Sequence, residues 1–349
     1  MTASWTSEQT ALRQRARAVP RDARIDSMRG IAILMVIGIH SLPQPLGTPW
    51  GIVVDATLRP CVPIFLFASG FLTARSGRVA LAKRFQTALI PYTIAFIAAY
   101  LYMAAHNPTM DHRATTTVAR YVLAYVFVYY YVFVYLGCTI MLWFTYRIVE
   151  ARDPKDKPEY LGIVLLLAIT VGLTIGSYID PLLDHLGASP SLIQEARLRD
   201  IPFWFCFVAL GMLIGISHSL RCLEQSRVLL IGATMTLFAI YAAVRVMVIG
   251  DAADYDSIAF FGYSALLCLL LLTVQIELPA LASLGSGSYF LYLWHIFVVM
   301  VLRDHFPLRS FGLVIDFVAT YSIAATASVC ALFLVKTLAS PRVARWLGA

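Results

Sequence analysis

The chain is 349 residues long; 60% of its residues are hydrophobic and only 13% are charged. A soluble domain of this length needs more charged residues on its surface, so the composition excludes an ordinary soluble protein. The net charge of +7 comes from lysines and arginines in short segments between apolar runs. That distribution is typical of the cytoplasmic anchoring of membrane helices and does not indicate nucleic-acid binding.

Runs of about twenty apolar residues follow one another along the chain and predict an all-α fold, a polytopic bundle of transmembrane helices. We predict about ten spans, and the break between the eighth and the ninth depends on little more than Gln275, Glu277 and Pro279. The spans are expected near residues 30–47, 58–74, 87–106, 119–148, 161–178, 201–217, 228–249, 257–276, 280–302 and 311–337.

The positive charges predict how these spans are oriented. With the N-terminus inside, 19 of the 27 lysines and arginines fall in cytoplasmic segments, so both termini are expected to be cytoplasmic. Residues 1–28 then form an Arg-rich cytoplasmic segment, residues 29–338 the transmembrane domain and residues 339–349 a cytoplasmic tail. The longest outer loop is expected at about 179–200. No small-residue cleavage site follows the first apolar run, so the first helix is expected to be retained.

The first apolar run contains the main candidate for chemistry, His40. At 1.5 Å per residue it lies roughly 16 Å beyond Arg29, near the middle of a bilayer, and on nearly the same helix face. Asp26 falls close to that face and can orient Arg29. A buried imidazole suits a general base or an acylated intermediate, and an arginine at the mouth suits an anionic donor. The alternatives are a histidine that packs between helices and an arginine that only anchors the first helix.

A basic segment after the second span is a second candidate site. Its four cations are Arg75, Arg78, Lys83 and Arg84, and they suit either a multiply phosphorylated cofactor or lipid headgroups. Ser69, shortly before them, is a candidate contact for a substrate.

Two further polar residues in late spans are candidates for substrate binding. His295 is expected about fifteen residues into the ninth helix, where it either lines the same cavity as His40 or packs between helices. Asp316 in the tenth span is expected to pair with Arg245 or with an acceptor. The six cysteines are scattered without a CxxC pair, and no motif for a metal, a nucleotide or a soluble-type hydrolase is present. We therefore expect no metal.

Five pieces of the chain together carry a resemblance to one family: Arg24 to Gly30, Arg29 with His40, Val62 to Phe65 before Ser69 to Leu72, Ile90 to Tyr92 and Tyr292 to His295. In these pieces the chain resembles the acyltransferase family 3 of integral membrane acyltransferases, in its short single-domain branch. One departure concerns the arginine pair that many members carry just before a Pro-Tyr. Here Arg84 is followed three residues later by Thr87, whereas Arg75 and Arg78 have the expected spacing. Which pair meets the donor is therefore open.

The resemblance implies a membrane-embedded O-acyltransferase in the bacterial cytoplasmic (inner) membrane. It implies that His40 is catalytic, that Arg29 is essential beside it and that the basic segment meets the donor. The donor is then acyl-CoA, with acetyl-CoA expected. The partners are membrane lipids and a hydroxyl of a cell-envelope glycan, a lipid-linked precursor or another surface acceptor, so that the reaction modifies a polysaccharide by O-acetylation. Direct transfer and an acyl-histidine intermediate are both open. The main alternative is a transporter or flippase of a lipid-linked or amphipathic molecule.

Overall fold

A computed structural model describes residues 22–124, 128–152, 157–217, 220–249, 257–274 and 278–349. Within these ranges the regular structure is entirely helical, with sixteen α-helices, one short 3₁₀-helix and no strand. In chain order the α-helices are α1 Ala23–Ser41, α2 Pro49–Leu58, α3 Cys61–Ser76, α4 Leu81–His106, α5 Ala114–Val122, α6 Tyr130–Glu150, α7 Lys157–His185, α8 Pro190–Leu198, α9 Ile201–Ile216, α10 Leu220–Gln225, α11 Arg227–Val246, α12 Ile258–Thr273, α13 Pro279–Ser286, α14 Ser288–His305, α15 Leu313–Leu338 and α16 Pro341–Leu347.

Seven helices in the described ranges are long and apolar enough to cross a membrane. The pair α13 and α14, bent by 79° around Gly287, makes an eighth if it acts as one broken span. The predicted fold class, an all-helical membrane bundle, is confirmed. The number of ten spans, the orientation of the termini and the division into cytoplasmic and transmembrane segments stay predictions. Two of the seven each combine two consecutive helices: Pro49–Ser76 consists of α2 and α3, and Pro190–Ile216 consists of α8 and α9. The other five are Leu81–His106, Tyr130–Glu150, Lys157–His185, Arg227–Val246 and Leu313–Leu338.

Several predicted boundaries of helices were wrong, and a polar side chain explains where α1 begins. Helix α1 begins at Ala23 because the Asp22 carboxylate accepts a hydrogen bond from the Arg24 amide at 3.1 Å, which caps the helix. It ends at Ser41, before residue 47. The expected loop at 179–200 is largely helical, since α7 continues to His185 and is followed by α8. The search for apolar runs does not detect helical segments that are partly polar, such as the end of α7 and helix α8.

The predicted fourth and ninth spans are each divided. Helix α5 ends at Val122 and α6 begins at Tyr130, so the aromatic run does not belong to one helix; residues 125–127 lie outside the described ranges. The ninth span bends at Gly287, and His295 is therefore in the second turn of α14 rather than deep in a single helix. Residues 275–277, where the preceding break was expected, also lie outside the described ranges.

Helix α13 packs directly on the polar beginning of α1, and two glycines permit the close approach. A Cβ added to Gly285 would lie 1.8 Å from the Asp26 carbonyl oxygen, and one added to Gly30 would lie 2.2 Å from that of Leu281. Any side chain at either position would therefore clash with backbone. This contact fixes α1 against the bent pair at the turn that carries Arg29.

Candidate active site

Arg29, near the beginning of α1, is held by one hydrogen bond and one ion pair. Its Nη2 donates to Ser288 Oγ, the first residue of α14, at 3.0 Å. Its Nη1 lies 3.6 Å from Asp26 Oδ1, one turn earlier on the same helix. Asp26 is only 8% exposed, so this carboxylate is well placed to fix the guanidinium. The contact between Asp26 and Arg29 is the one that their spacing predicts.

Arg29 lines a cavity of about 270 Å³, which we call the Arg29 cavity. The predicted candidates Ser69 and Arg84 line it as well, together with apolar and aromatic side chains. The remaining lining residues are Phe65, Ala68, Leu72, Thr87, Ala88, Tyr131, Tyr135 and Tyr289. A basic pocket with aromatic walls can hold an anionic group beside a long apolar arm.

Of the four cations in the basic segment, only Arg84 lines the Arg29 cavity. Arg84 Nη2 donates to Thr73 Oγ1 at 2.5 Å, while its Nη1 is buried without a hydrogen-bond partner among the described residues. Arg75 forms an ion pair with Asp22 at 2.5 Å. Arg78 and Lys83 are exposed and, like Arg75, do not line the Arg29 cavity. The structure thus brings Arg84 to Arg29 and leaves the other three cations outside.

His40 lines a second cavity of about 330 Å³, the His40 cavity. Tyr131 lines both cavities, and its ring makes an edge contact with that of Tyr292 at 5.4 Å between centroids. The two cavities therefore meet at one aromatic side chain. The polar residues around His40 in its cavity are Gln44, Asp55, Arg59, Tyr130, Tyr131, Gln194 and Tyr292.

Asp55, Arg59 and Arg245 form an ion cluster that the sequence did not predict, and Asp55 and Arg59 line the His40 cavity. Asp55 in α2, which is 3% exposed, accepts a hydrogen bond at 2.6 Å from Nε of Arg59, the residue that directly follows this helix. Its carboxylate also pairs with Arg245 from α11. The four-residue spacing of Asp55 and Arg59 was a usable signal, but the Arg245 contact depends on tertiary packing. Arg245 thus pairs with Asp55, and of the two alternatives for Asp316 only the contact with an acceptor stays a prediction.

His295 and Asp316 line neither of the two cavities. His295 is fully buried in α14, with its ring centroid 5.5 Å from that of His40. Asp316 accepts a hydrogen bond from Thr320 Oγ1 at 3.1 Å, one turn later on α15. Of the two alternatives for His295, the structure therefore shows the one in which the side chain packs between helices, against His40.

Helix α14 is bonded to α1 near both of its ends. Ser288, its first residue, binds Arg29, and Arg303 in its last turn donates from Nη2 to the carbonyl oxygens of His40 at 2.9 Å and Leu42 at 2.7 Å. The two helices therefore run in the same direction. The arginine also satisfies carbonyls that the end of α1 leaves without a helical partner. Helix α14 thus binds the Arg29 side chain at one end and the backbone of His40 at the other.

A helical membrane fold with a basic cavity, a histidine cavity and one shared aromatic wall defines a membrane protein with a buried polar site. The family model described as an acyltransferase domain matches residues 22–337. The chain therefore belongs to this acyltransferase family and is a membrane acyltransferase; members generally transfer acyl groups to hydroxyls. Comparisons with curated proteins and with solved structures give no significant match. The family match favours the transferase over the alternative of a transporter.

Proposed function

We propose that the protein is an acyl-CoA-dependent O-acyltransferase. It moves an acyl group, in the first instance acetyl, from cytoplasmic acyl-CoA to a hydroxyl of a cell-envelope glycan, a lipid-linked precursor or another surface acceptor. Its location is the bacterial cytoplasmic membrane. The observation that carries the proposal is that Arg29 and His40, on one helix, line two cavities that share Tyr131.

The Arg29 cavity is the donor side of this proposal. Acyl-CoA carries phosphates at one end and the thioester at the end of a long pantetheine arm. Arg29 and Arg84 offer guanidinium groups to the phosphates, and Arg84 Nη1 has no other hydrogen-bond partner among the described residues. Phe65, Tyr135 and Tyr289 form walls along which the arm lies. The thioester then reaches Tyr131, beyond which lies His40.

The His40 cavity is the acceptor side. An acceptor hydroxyl that lies against His40 gives its proton to the imidazole while its oxygen attacks the thioester carbonyl. The carbon–sulfur bond breaks, and the proton passes to the sulfur, so the products are the acyl ester and free CoA thiol. In the second route, an imidazole nitrogen attacks the thioester carbonyl first and CoA leaves as the thiolate; the hydroxyl oxygen then takes the acyl group from the imidazole, and its proton neutralises the thiolate, so the products are the same. Tyr130 and Gln194 in this cavity offer polar groups to a glycan.

The decisive experiment is release of free thiol by the purified protein in detergent, with acetyl-CoA and a panel of candidate glycans. We expect release that depends on one class of acceptor and that His40→Ala abolishes. His185→Ala is the matched control, because His185 is exposed at the end of α7. Full activity in His40→Ala would contradict the assignment. A transporter would release no thiol with any acceptor, but neither would an acyltransferase whose acceptor is missing from the panel. Binding of CoA is therefore measured on the same sample, because only the acyltransferase is expected to bind CoA.

A further inference from the structure

His295 is a buried polar side chain that the proposed reaction does not yet use. It lies in α14, has 0% exposure and lines neither cavity. It therefore touches neither the donor nor the acceptor. Its closeness to His40 still requires an explanation, because two imidazoles with their centroids 5.5 Å apart interact strongly in a dry interior.

The hydrogen bonds of His295 fix its tautomer. Its Nδ1 lies 2.9 Å from the carbonyl oxygens of both Leu291 and Tyr292. A carbonyl oxygen can only accept a hydrogen bond, so Nδ1 carries the proton and donates. In a neutral ring, Nε2 then carries the lone pair. This nitrogen is buried and has no hydrogen-bond partner among the described residues.

The ring of His40 is placed to supply the missing donor. The two rings are tilted by 36°. A hydrogen bond of about 2.9 Å between ring nitrogens puts the centroids roughly 5.2 Å apart. The observed 5.5 Å is close to this value, so the two rings are near enough for a His40 N–H to donate to Nε2 of His295. The carbonyl of His40 is already held by Arg303, so the backbone of the last turn of α1 stays in place while the ring adjusts.

We propose that His295 is a positioning residue that accepts a hydrogen bond from His40 and thereby fixes its tautomer. This role deepens the proposed function and rests on it. A neutral imidazole has one protonated nitrogen and one lone pair, and only the lone pair can take the acceptor's proton or the acyl group. Once one nitrogen of His40 donates to His295, the other nitrogen is unprotonated and faces the His40 cavity.

The same hydrogen bond stabilises the charged state of the reaction. When His40 takes the hydroxyl proton, the imidazolium shares its other proton with Nε2 of His295. The Nδ1–H of His295, held by Leu291 and Tyr292, then faces two carbonyl oxygens that favour positive charge on this ring. The proton returns through His40 to the leaving sulfur. No proton is gained or lost, and neither histidine ends the cycle changed.

Three variants separate this role from simple packing. His295→Phe keeps a ring but has no acceptor, His295→Asn places its amide near the Nδ1 position, and His295→Gln places a carbonyl oxygen near the Nε2 position. We expect His295→Phe and His295→Asn to lower kcat by about 100-fold with KM for donor and acceptor unchanged. We expect His295→Gln to recover most of the activity. Wild-type kcat in His295→Phe, or an equal loss in His295→Gln, would overturn the proposal.

A second measurement does not depend on turnover. The ring ¹⁵N and ¹³C shifts of histidine-labelled protein report the tautomer, and His40→Ala identifies the His40 signals among the seven histidines. We expect a single neutral tautomer for His40 in the wild type and a mixture in His295→Phe. An unchanged His40 tautomer in that variant would overturn the positioning role. If the wild type released no thiol with any acceptor while the tautomer still depended on His295, the proposed function would fail and the hydrogen bond would stand.

Discussion

At the scale of residues, the Arg29 cavity separates cations that the sequence places close together. Arg84 points into the cavity and Arg75 is paired with Asp22, although both belong to the same basic segment. The pairing follows from geometry, because Asp22 caps α1 beside the end of α3. The sequence left open which of these arginines binds the donor. Because only Arg84 of this segment lines the cavity, we propose that Arg29 and Arg84 bind the donor together.

The first prediction concerns these arginines. Arg84→Gln should weaken binding of CoA by about 10-fold to 100-fold, since a charge-assisted hydrogen bond to a phosphate contributes about 1.5–3 kcal/mol. Arg78→Gln is the matched control, because Arg78 is exposed and outside the cavity. Titration of CoA into purified protein gives both values. Equal weakening in the two variants would contradict the placement of the phosphates.

At the scale of elements, α14 and the short helix α13 hold α1 from one side. The bend of 79° at Gly287 lets α13 pack on the Asp26–Gly30 turn while α14 follows α1 towards His40. A straight ninth helix could make only one of these contacts. The break in this span thus positions Arg29 through Ser288 and the backbone of His40 through Arg303.

The close contact of α13 with α1 gives a stability prediction. Gly285→Ala places a Cβ 1.8 Å from the Asp26 carbonyl oxygen, so the helices must separate, at a cost of about 1–3 kcal/mol. We expect a lower Tm in detergent and a lower affinity for CoA. Gly162→Ala is the control, since Gly162 lies in a helix with open space around it, and alanine favours a helix over glycine by about 1 kcal/mol. A Tm in Gly285→Ala equal to that of the control would contradict the packing.

Part of this arrangement could be predicted from the sequence, and the rest depends on distant contacts. The spacing of Asp26, Arg29 and His40 on one helix is local, so periodicity is sufficient. The Asp55–Arg245 pair and the Ser288 contact join helices far apart in the chain, and a single sequence carries no sign of which helices are neighbours. His295 shows the same limit. Its position along the helix depends on the bend at Gly287, and the local sequence signals this bend weakly, through Ser286, Gly287 and Ser288.

At the scale of the whole molecule, the bundle holds two cavities in contact at Tyr131. A thioester must be kept from water until an acceptor is bound. The Tyr131 ring packs against Tyr292, and its centroid is 5.8 Å from that of Phe65, so it lies between the proposed donor side and the proposed acceptor side. In the proposed reaction this position favours transfer over hydrolysis.

Removing this partition should uncouple the reaction. Tyr131→Ala joins the two cavities, so we expect thiol release from acetyl-CoA without acceptor to rise and acceptor-dependent transfer to fall. Tyr131→Phe keeps the ring and should retain transfer. Tyr135→Ala is the control for cavity size, because Tyr135 lines the Arg29 cavity but not the His40 cavity. A rise in hydrolysis that is equal in Tyr135→Ala and Tyr131→Ala would contradict a specific partition.

The most direct test of the central claim is a structure of the protein with a non-hydrolysable acetyl-CoA analogue. We expect the phosphates to lie against Arg29 and Arg84 and the pantetheine arm to run along Tyr135 to Tyr131. The acyl carbon should then lie within reach of the His40 imidazole. An analogue bound outside the Arg29 cavity, with its acyl group remote from His40, would contradict the proposed mechanism.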